Sequence, residues 1–217
     1  MPSPSRYDAG ETNLTAFPQT PAQIMHPILR LLVILCSLGW LSPIASAQTL
    51  QGLFQFADSA DASNWQIVND GVMGGRSSSE ASIVNTDPGE GVLQFTGNLS
   101  LENNGGFASV RSRPSGSLGL EAGETIVLRV QGDGRRYTFN LYTPNRRTAF
   151  SYQMQFDTKA GEWTEVRLPV DKFVAHSFGR AMPNTRLNPN EVQSVGILLG
   201  DKKPGAFQIM LDSINVE

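Results

Sequence analysis

Residues 125–143 read TIVLRVQGDGRRYTFNLYT, two β-rich runs divided by a Gly-Asp-Gly segment. In the first run Ile126, Leu128 and Val130 alternate with Val127 and Arg129. In the second, Tyr137, Phe139 and Leu141 alternate with Thr138 and Asn140. Side chains along a strand point in turn to opposite faces, so each run packs one face on a core and offers the other to solvent. QGDGRR between them reads as a hairpin turn, with Asp133-Gly134 able to take positive φ.

The same pattern recurs along the chain. Short β-type segments split by Gly, Pro, Asn and Asp predict strands over 91–101, 106–113, 125–132, 137–143, 151–157, 162–170, 192–200 and 206–217. No long stretch carries the 3.6-residue apolar period of a helix, and no internal repeat is visible. Antiparallel strands at this spacing indicate an all-β fold, a β-sandwich of jelly-roll type. The segment 173–191, which holds His176, reads as a long loop, and NPNEVQ as one short helix. Trp65 and Trp163 are expected as core or rim packing in preference to a sugar-stacking platform.

Composition narrows the chemistry. From Met25 the chain reads MHPILRLLVILCSLGWLSPIASAQT, with Arg30 before an apolar run and Ala45-Ser46-Ala47 after it. That order predicts a signal peptide over 25–47, and with it a periplasmic or secreted location. Residues 1–24 read as disordered or as a start assigned too early, and 48–217 as a single sandwich domain. The apolar run falls short of the roughly 20 residues of a membrane span, so no transmembrane segment is expected in the remaining chain. The only cysteine, Cys36, lies in the leader, and His176 is the only histidine beyond it. A zinc site of several His or Cys, a disulfide and a Cys-His dyad are thereby excluded from 48–217. The net charge of −3 argues against binding to nucleic acid or anionic membranes.

NWQIVNDGVMGGRSSSE (64–80) invites a phosphate-loop reading, but its glycines are one residue too close and the lysine is missing. GDGRRY departs from the dinucleotide pattern at Tyr137, and His176 has no nucleophile elbow near it. Asp58, Asp61 and Asp70 fit no EF-hand spacing; they read as turn and cap residues, with a calcium ion at a sandwich edge as the alternative. The doublets Arg135-Arg136 and Arg146-Arg147 are expected as solvated turn charges. NLS (98–100) matches a glycosylation sequon.

Several segments, in order, resemble one family: FQFAD and NWQIVNDGVMGGRSS (54–78), LQFTGNLSLENNGGFASVRS (93–112), LRVQGDGRRYTFNL (128–141), GEWTEVRLPVDKF (161–173), FGR (178–180) and VQSVGILLGDKKPGAFQIMLDSINV (192–216). Together they are similar to the complex I intermediate-associated protein 30 family. The resemblance implies a galactose-binding-like jelly roll. It also implies a chaperone-like assembly factor for respiratory complex I, with no enzymatic activity and no cofactor.

Gly71, Gly74, Gly75, Gly105 and Gly106 are expected to form structural turns, Gly74 and Gly75 at places where a side chain would clash or positive φ is required. The two glycine segments are expected to adjoin and shape one concave edge, with Asp70, Arg76, Asn104 and Arg111 as its polar groups. The leading functional reading is a non-enzymatic binding protein whose partner is another protein, a respiratory-complex or envelope component. The alternative is a glycan-binding module using aromatic rings, with Tyr137, Tyr142, Tyr152 and Trp163 as candidates. A glycosidase with paired carboxylates among Asp157, Glu162 and Glu165 ranks third.

Overall fold

Two antiparallel sheets face each other across a core of aliphatic and aromatic side chains. The structure, a computed structural model, describes residues 50–56, 59–87, 90–144 and 149–217. The expected signal peptide and N-terminal segment, Asp58, Arg146 and Arg147 lie outside the described residues. Among those described, the strands are β1 (Gln51–Gln55), β2 (Trp65–Ile67), β3 (Ser78–Asp87), β4 (Glu90–Leu99), β5 (Ala108–Ser112), β6 (Thr125–Gln131) and β7 (Arg136–Tyr142). They continue with β8 (Phe150–Asp157), β9 (Trp163–Pro169), β10 (Val174–Ser177), β11 (Arg180–Ala181), β12 (Ser194–Leu199) and β13 (Gly205–Val216). One sheet runs β3-β4-β13-β6-β9, with β1 also paired to β13; the other runs β11-β10-β8-β7-β12-β5-β2. This is the jelly-roll sandwich that the alternation predicted. Among the described residues no helix is long and apolar enough to cross a membrane.

The two runs of 125–143 are not a hairpin. β6 pairs with β13 and β9, whereas β7 pairs with β12 and β8, so QGDGRR carries the chain from one sheet to the other. The physical reason is the core itself. Ile126, Leu128 and Val130 on one side and Tyr137, Phe139 and Leu141 on the other are all fully buried, and the arch lets them line one core from its two walls. Gly134 alone in the arch takes positive φ, at 86°.

β13 holds its apolar face inward through a register irregularity between Leu211 and Ser213. The extra residue, Asp212, resets the alternation, so that Leu211 and Ile214, three apart, both face the core. The segment 173–191, expected as a loop, contains β10 and β11, which pair with each other and dock on β8. Their two-residue turn, Phe178-Gly179, has φ of 47° and 71°, the left-handed pair that matches strand twist. The short helix expected at NPNEVQ is a single 3₁₀ turn, Pro189–Glu191.

Candidate functional site

Asp70 is the organising residue of the glycine-rich stretch. It follows β2, opens a 3₁₀ turn (Asp70–Met73) and is 1% exposed. Its Oδ1 accepts from the Ser77 amide at 2.9 Å. Its Oδ2 accepts from the Ser77 hydroxyl at 2.6 Å, the Gly106 amide at 2.6 Å and the Phe107 amide at 3.3 Å. The Ser100 amide in turn donates to Ser77 Oγ at 3.0 Å. Burial pushes the Asp70 carboxyl up, but these four donors outweigh it and hold the group below its ordinary value.

The glycines around it make the space. A Cβ on Gly75 would stand 2.3 Å from Asp70 Cγ, and one on Gly105 would stand 2.6 Å from Asp70 Oδ2. Of the two reasons for glycine, the clash applies to Gly75, which is not at positive φ, and positive φ to Gly74, at 90°, where it closes the turn. Gly106 is also at positive φ, at 129°, whereas Gly71 is not, and a Cβ on Gly71 would meet open space. The two glycine segments are thus stitched together by one carboxylate. Both its oxygens face protein donors, so the calcium reading loses Asp70. Among the described residues no group of three or more His, Cys, Asp or Glu could hold a metal ion.

The two segments joined by this staple also expose apolar side chains. Val72 is 74% exposed, Met73 60% and Leu101 43%. Arg76 pairs with Glu102 at 2.9 Å, both exposed, and Asn103 and Asn104 hold the next turn at φ of 54° and 60°. Asparagine tolerates that conformation better than most side chains.

The other expected site residues stand elsewhere. Arg111 lies four residues beyond Phe107, about 13 Å along β5 at strand rise, on the outer face of its sheet. Tyr152 points into the core, packed edge-on against Phe150, and its hydroxyl donates to the Arg186 carbonyl at 2.8 Å. Tyr137 is fully buried. Tyr142 carries the Arg111 guanidinium 4.8 Å over its ring, and half-buried Trp163 carries that of Arg129 at 5.7 Å. Tyr137 and Tyr152 are therefore closed to a sugar, and Tyr142 and Trp163 each carry a guanidinium over one face. Trp65 is core, packed against Phe54 and Phe56.

The carboxylates weighed for glycosidic chemistry each sit against a basic neighbour on the surface: Asp157 with Arg136, Glu162 with Lys159, Glu165 with Arg167. His176 is on β10, opposite Ser151, but the Ser151 hydroxyl donates to Asn140 Oδ1 instead.

Arg135 corrects the reading of its doublet as solvated charge. Its guanidinium grips Asp201 through two bonds of 2.6 and 3.0 Å and also reaches the carbonyls of Lys203 and Ala206, tying the arch to the β12–β13 connection. Arg136, next to it, is an exposed partner of Asp157. The pairing of Arg135 had no local signal, because its partner lies 66 residues away.

Residues 54–211 match the family described as complex I intermediate-associated protein 30. The chain belongs to that family. Among curated relatives, "Complex I intermediate-associated protein 30, mitochondrial" of Mus musculus is 28% identical over 184 residues, covering 76% of this chain and 55% of the mouse protein. The probable counterpart of Caenorhabditis elegans is 28% identical over 157 residues, covering 64% and 46%. The chain therefore spans about half the length of the curated relatives it matches. These relatives also correct the expected location: they are named mitochondrial, which points to the mitochondrion and away from a periplasmic or secreted protein.

Among solved structures, the family 11 carbohydrate-binding module of a Clostridium thermocellum cellulosomal cellulase superposes with a TM-score of 0.54 at 15% identity, covering 79% of this chain and 95% of the module. A family 30 carbohydrate-binding module of the same organism gives 0.51 at 11% identity, covering 78% and 97%. At such identities the likeness is one of fold. In this member of the family, the stretch NDGVMGG is thus divided: Asp70, Gly74 and Gly75 serve the staple, while Val72 and Met73 face solvent.

Proposed function

We propose that this chain is a non-enzymatic, chaperone-like factor that binds a protein intermediate of respiratory complex I assembly through the apolar tip of Val72, Met73 and Leu101. The observation that carries the reading is the exposure of Val72 and Met73, at 74% and 60%, on a turn fixed from beneath by a buried carboxylate. Exposed aliphatic side chains on a rigid turn suit a surface that meets another apolar protein surface. The names of the relatives supply the class of partner: an intermediate of complex I. The glycan alternative rests on shared fold, and two of the four rings weighed for it, Tyr137 and Tyr152, are buried in the core.

Crosslinked pull-down from mitochondria with the wild-type chain and with Val72→Asp/Met73→Asp tests the proposal. The wild type should recover complex I membrane-arm subunits, and the double variant should lose them with an unchanged melting temperature. Equal recovery by both proteins would remove the tip from the interface.

A further inference from the structure

On the side of the seven-stranded sheet that faces away from the core, one row of residues crosses six strands: Gln66, Arg111, Gly196, Asn140, Gln153 and Val174. It contains one charge, Arg111, and no carboxylate. Gly196, mid-strand and buried, makes room for that side chain. A Cβ there would stand 3.1 Å from Arg111 Cγ, 3.2 Å from Tyr142 Cε2 and 2.7 Å from the Val110 carbonyl. The guanidinium crosses this gap and settles 4.8 Å over the Tyr142 ring. Among the described residues it forms no ion pair, and its buried Nε has no hydrogen-bond partner.

Farther along the row, by contrast, amides and a hydroxyl bond to one another. Gln153 Nε2 donates to Ser151 Oγ at 3.0 Å, Ser151 Oγ to Asn140 Oδ1 at 2.9 Å, and Asn140 Nδ2 to the Thr138 carbonyl at 3.2 Å. The row thus holds one cation resting on an aromatic ring, with its Nε unpartnered, beside a chain of amides and a hydroxyl that bond to one another. Buried donors of a guanidinium call for acceptors, and its planar fork matches a carboxylate.

We propose that Arg111, held by Tyr142 and Gly196, is the anchor of a second binding site that takes a carboxylate side chain from an acidic segment of a partner protein. The site rests on the protein-binding role proposed above but is separate from the apolar tip, so the two can fail independently. A neutral glycan is disfavoured because a hydroxyl does not neutralise the one cation of the row, which forms no ion pair among the described residues. The site gives the chain two chemically distinct contacts, one apolar at the Asp70 turn and one electrostatic on the sheet face.

The test is a titration of the full-length, ¹⁵N-labelled chain with hexaglutamate, followed at the Arg111 Nε–H resonance. Hexagalacturonate serves as the acidic-glycan comparison. Hexaglutamate should move that resonance, and binding should weaken with added salt. Arg111→Gln should weaken binding about tenfold or more, as expected for losing a charge-assisted hydrogen bond. Arg111→Lys, which keeps the charge and loses the fork, should fall between, and Arg136→Gln, which removes an exposed charge outside the row, should bind as the wild type does. An Arg111 resonance that does not move, equal affinity in Arg111→Gln, or tighter binding of hexagalacturonate would each overturn the proposal. The first of these needs no variant to fold.

Discussion

The Gly106 amide donates to Asp70 Oδ2 at 2.6 Å across 36 residues of sequence. This bond, with those from Ser77 and Phe107, makes one unit of two segments that look like independent turns. Asp70→Asn keeps the shape but places an amide where four donors converge. The expected loss is roughly 2–4 kcal/mol, since hydrogen bonds to a charged acceptor are removed and buried donors are left unmet. The pH dependence has a definite sign. The folded carboxyl sits below its unfolded value of 3.8, so its stabilisation is complete above that value and disappears as pH falls through the folded pKa. Chemical denaturation at pH 7 and in the acid range should therefore show the wild-type advantage over Asp70→Asn shrinking with acidification.

Gly74 and Gly75 separate two reasons for glycine. Gly74 has φ of 90° with open space around it, so Gly74→Ala should cost about 1 kcal/mol of backbone strain. Gly75 has ordinary φ, but a Cβ would stand 2.3 Å from Asp70 Cγ, and Asp70 is pinned and cannot step aside. Gly75→Ala should cost more, about 2–3 kcal/mol, by overpacking. Thermal denaturation of the two variants should rank them in that order.

The adjacent arginines of the arch should respond very differently. Arg135→Ala leaves Asp201, whose side chain is 8% exposed, without its cation and frees the arch from the β12–β13 connection. Removing one partner of a buried pair costs about 3–5 kcal/mol. Arg136 and Asp157 pair on the surface, both more than half exposed, and Arg136→Ala should leave the melting temperature within scatter. A Tm comparison of the two single variants decides the assignment.

The core faces of β6 and β7 were legible from period-two alternation, because burial on one side repeats every second residue, whereas the ten-residue β3, rich in Ser, Glu and Asn, was not anticipated as a strand. The partner of each strand was not. Nothing local in QGDGRR distinguishes a hairpin from an arch between sheets; that depends on β13 and β12, which come some 60 residues or more later. β2 is too short to show alternation, and β10 and β11 hide among turn residues. Asp70 was legible as important but not as buried, since Asn-Asp-Gly reads locally as a turn and its donors come from Ser77 and from Gly106 and Phe107. The glycines held a further clue: Gly75 and Gly105 do not need positive φ, so their presence records a close neighbour. The exposed Val72 and Met73 lie on a 3₁₀ turn, where no alternation assigns them to a face.

Tyr142 reports on the sheet face directly. Burial pushes its phenol up to about 12, and the Arg111 charge offsets part of that rise. A folded pKa above the unfolded value of 10.0 means that its contribution to stability is complete below that value. It is lost as pH climbs through the folded pKa. Tyr137 is shifted in the same direction, by burial first and then by Asp133, so alkaline unfolding should be steep above pH 10. Ultraviolet difference titration of Arg111→Gln should move the Tyr142 transition to higher pH, because the cation that favours the phenolate is gone. An unmoved transition would show that the guanidinium does not rest on the ring in solution. A downward shift would mean that the substitution opens the face to water, relieving the desolvation that raises the phenol.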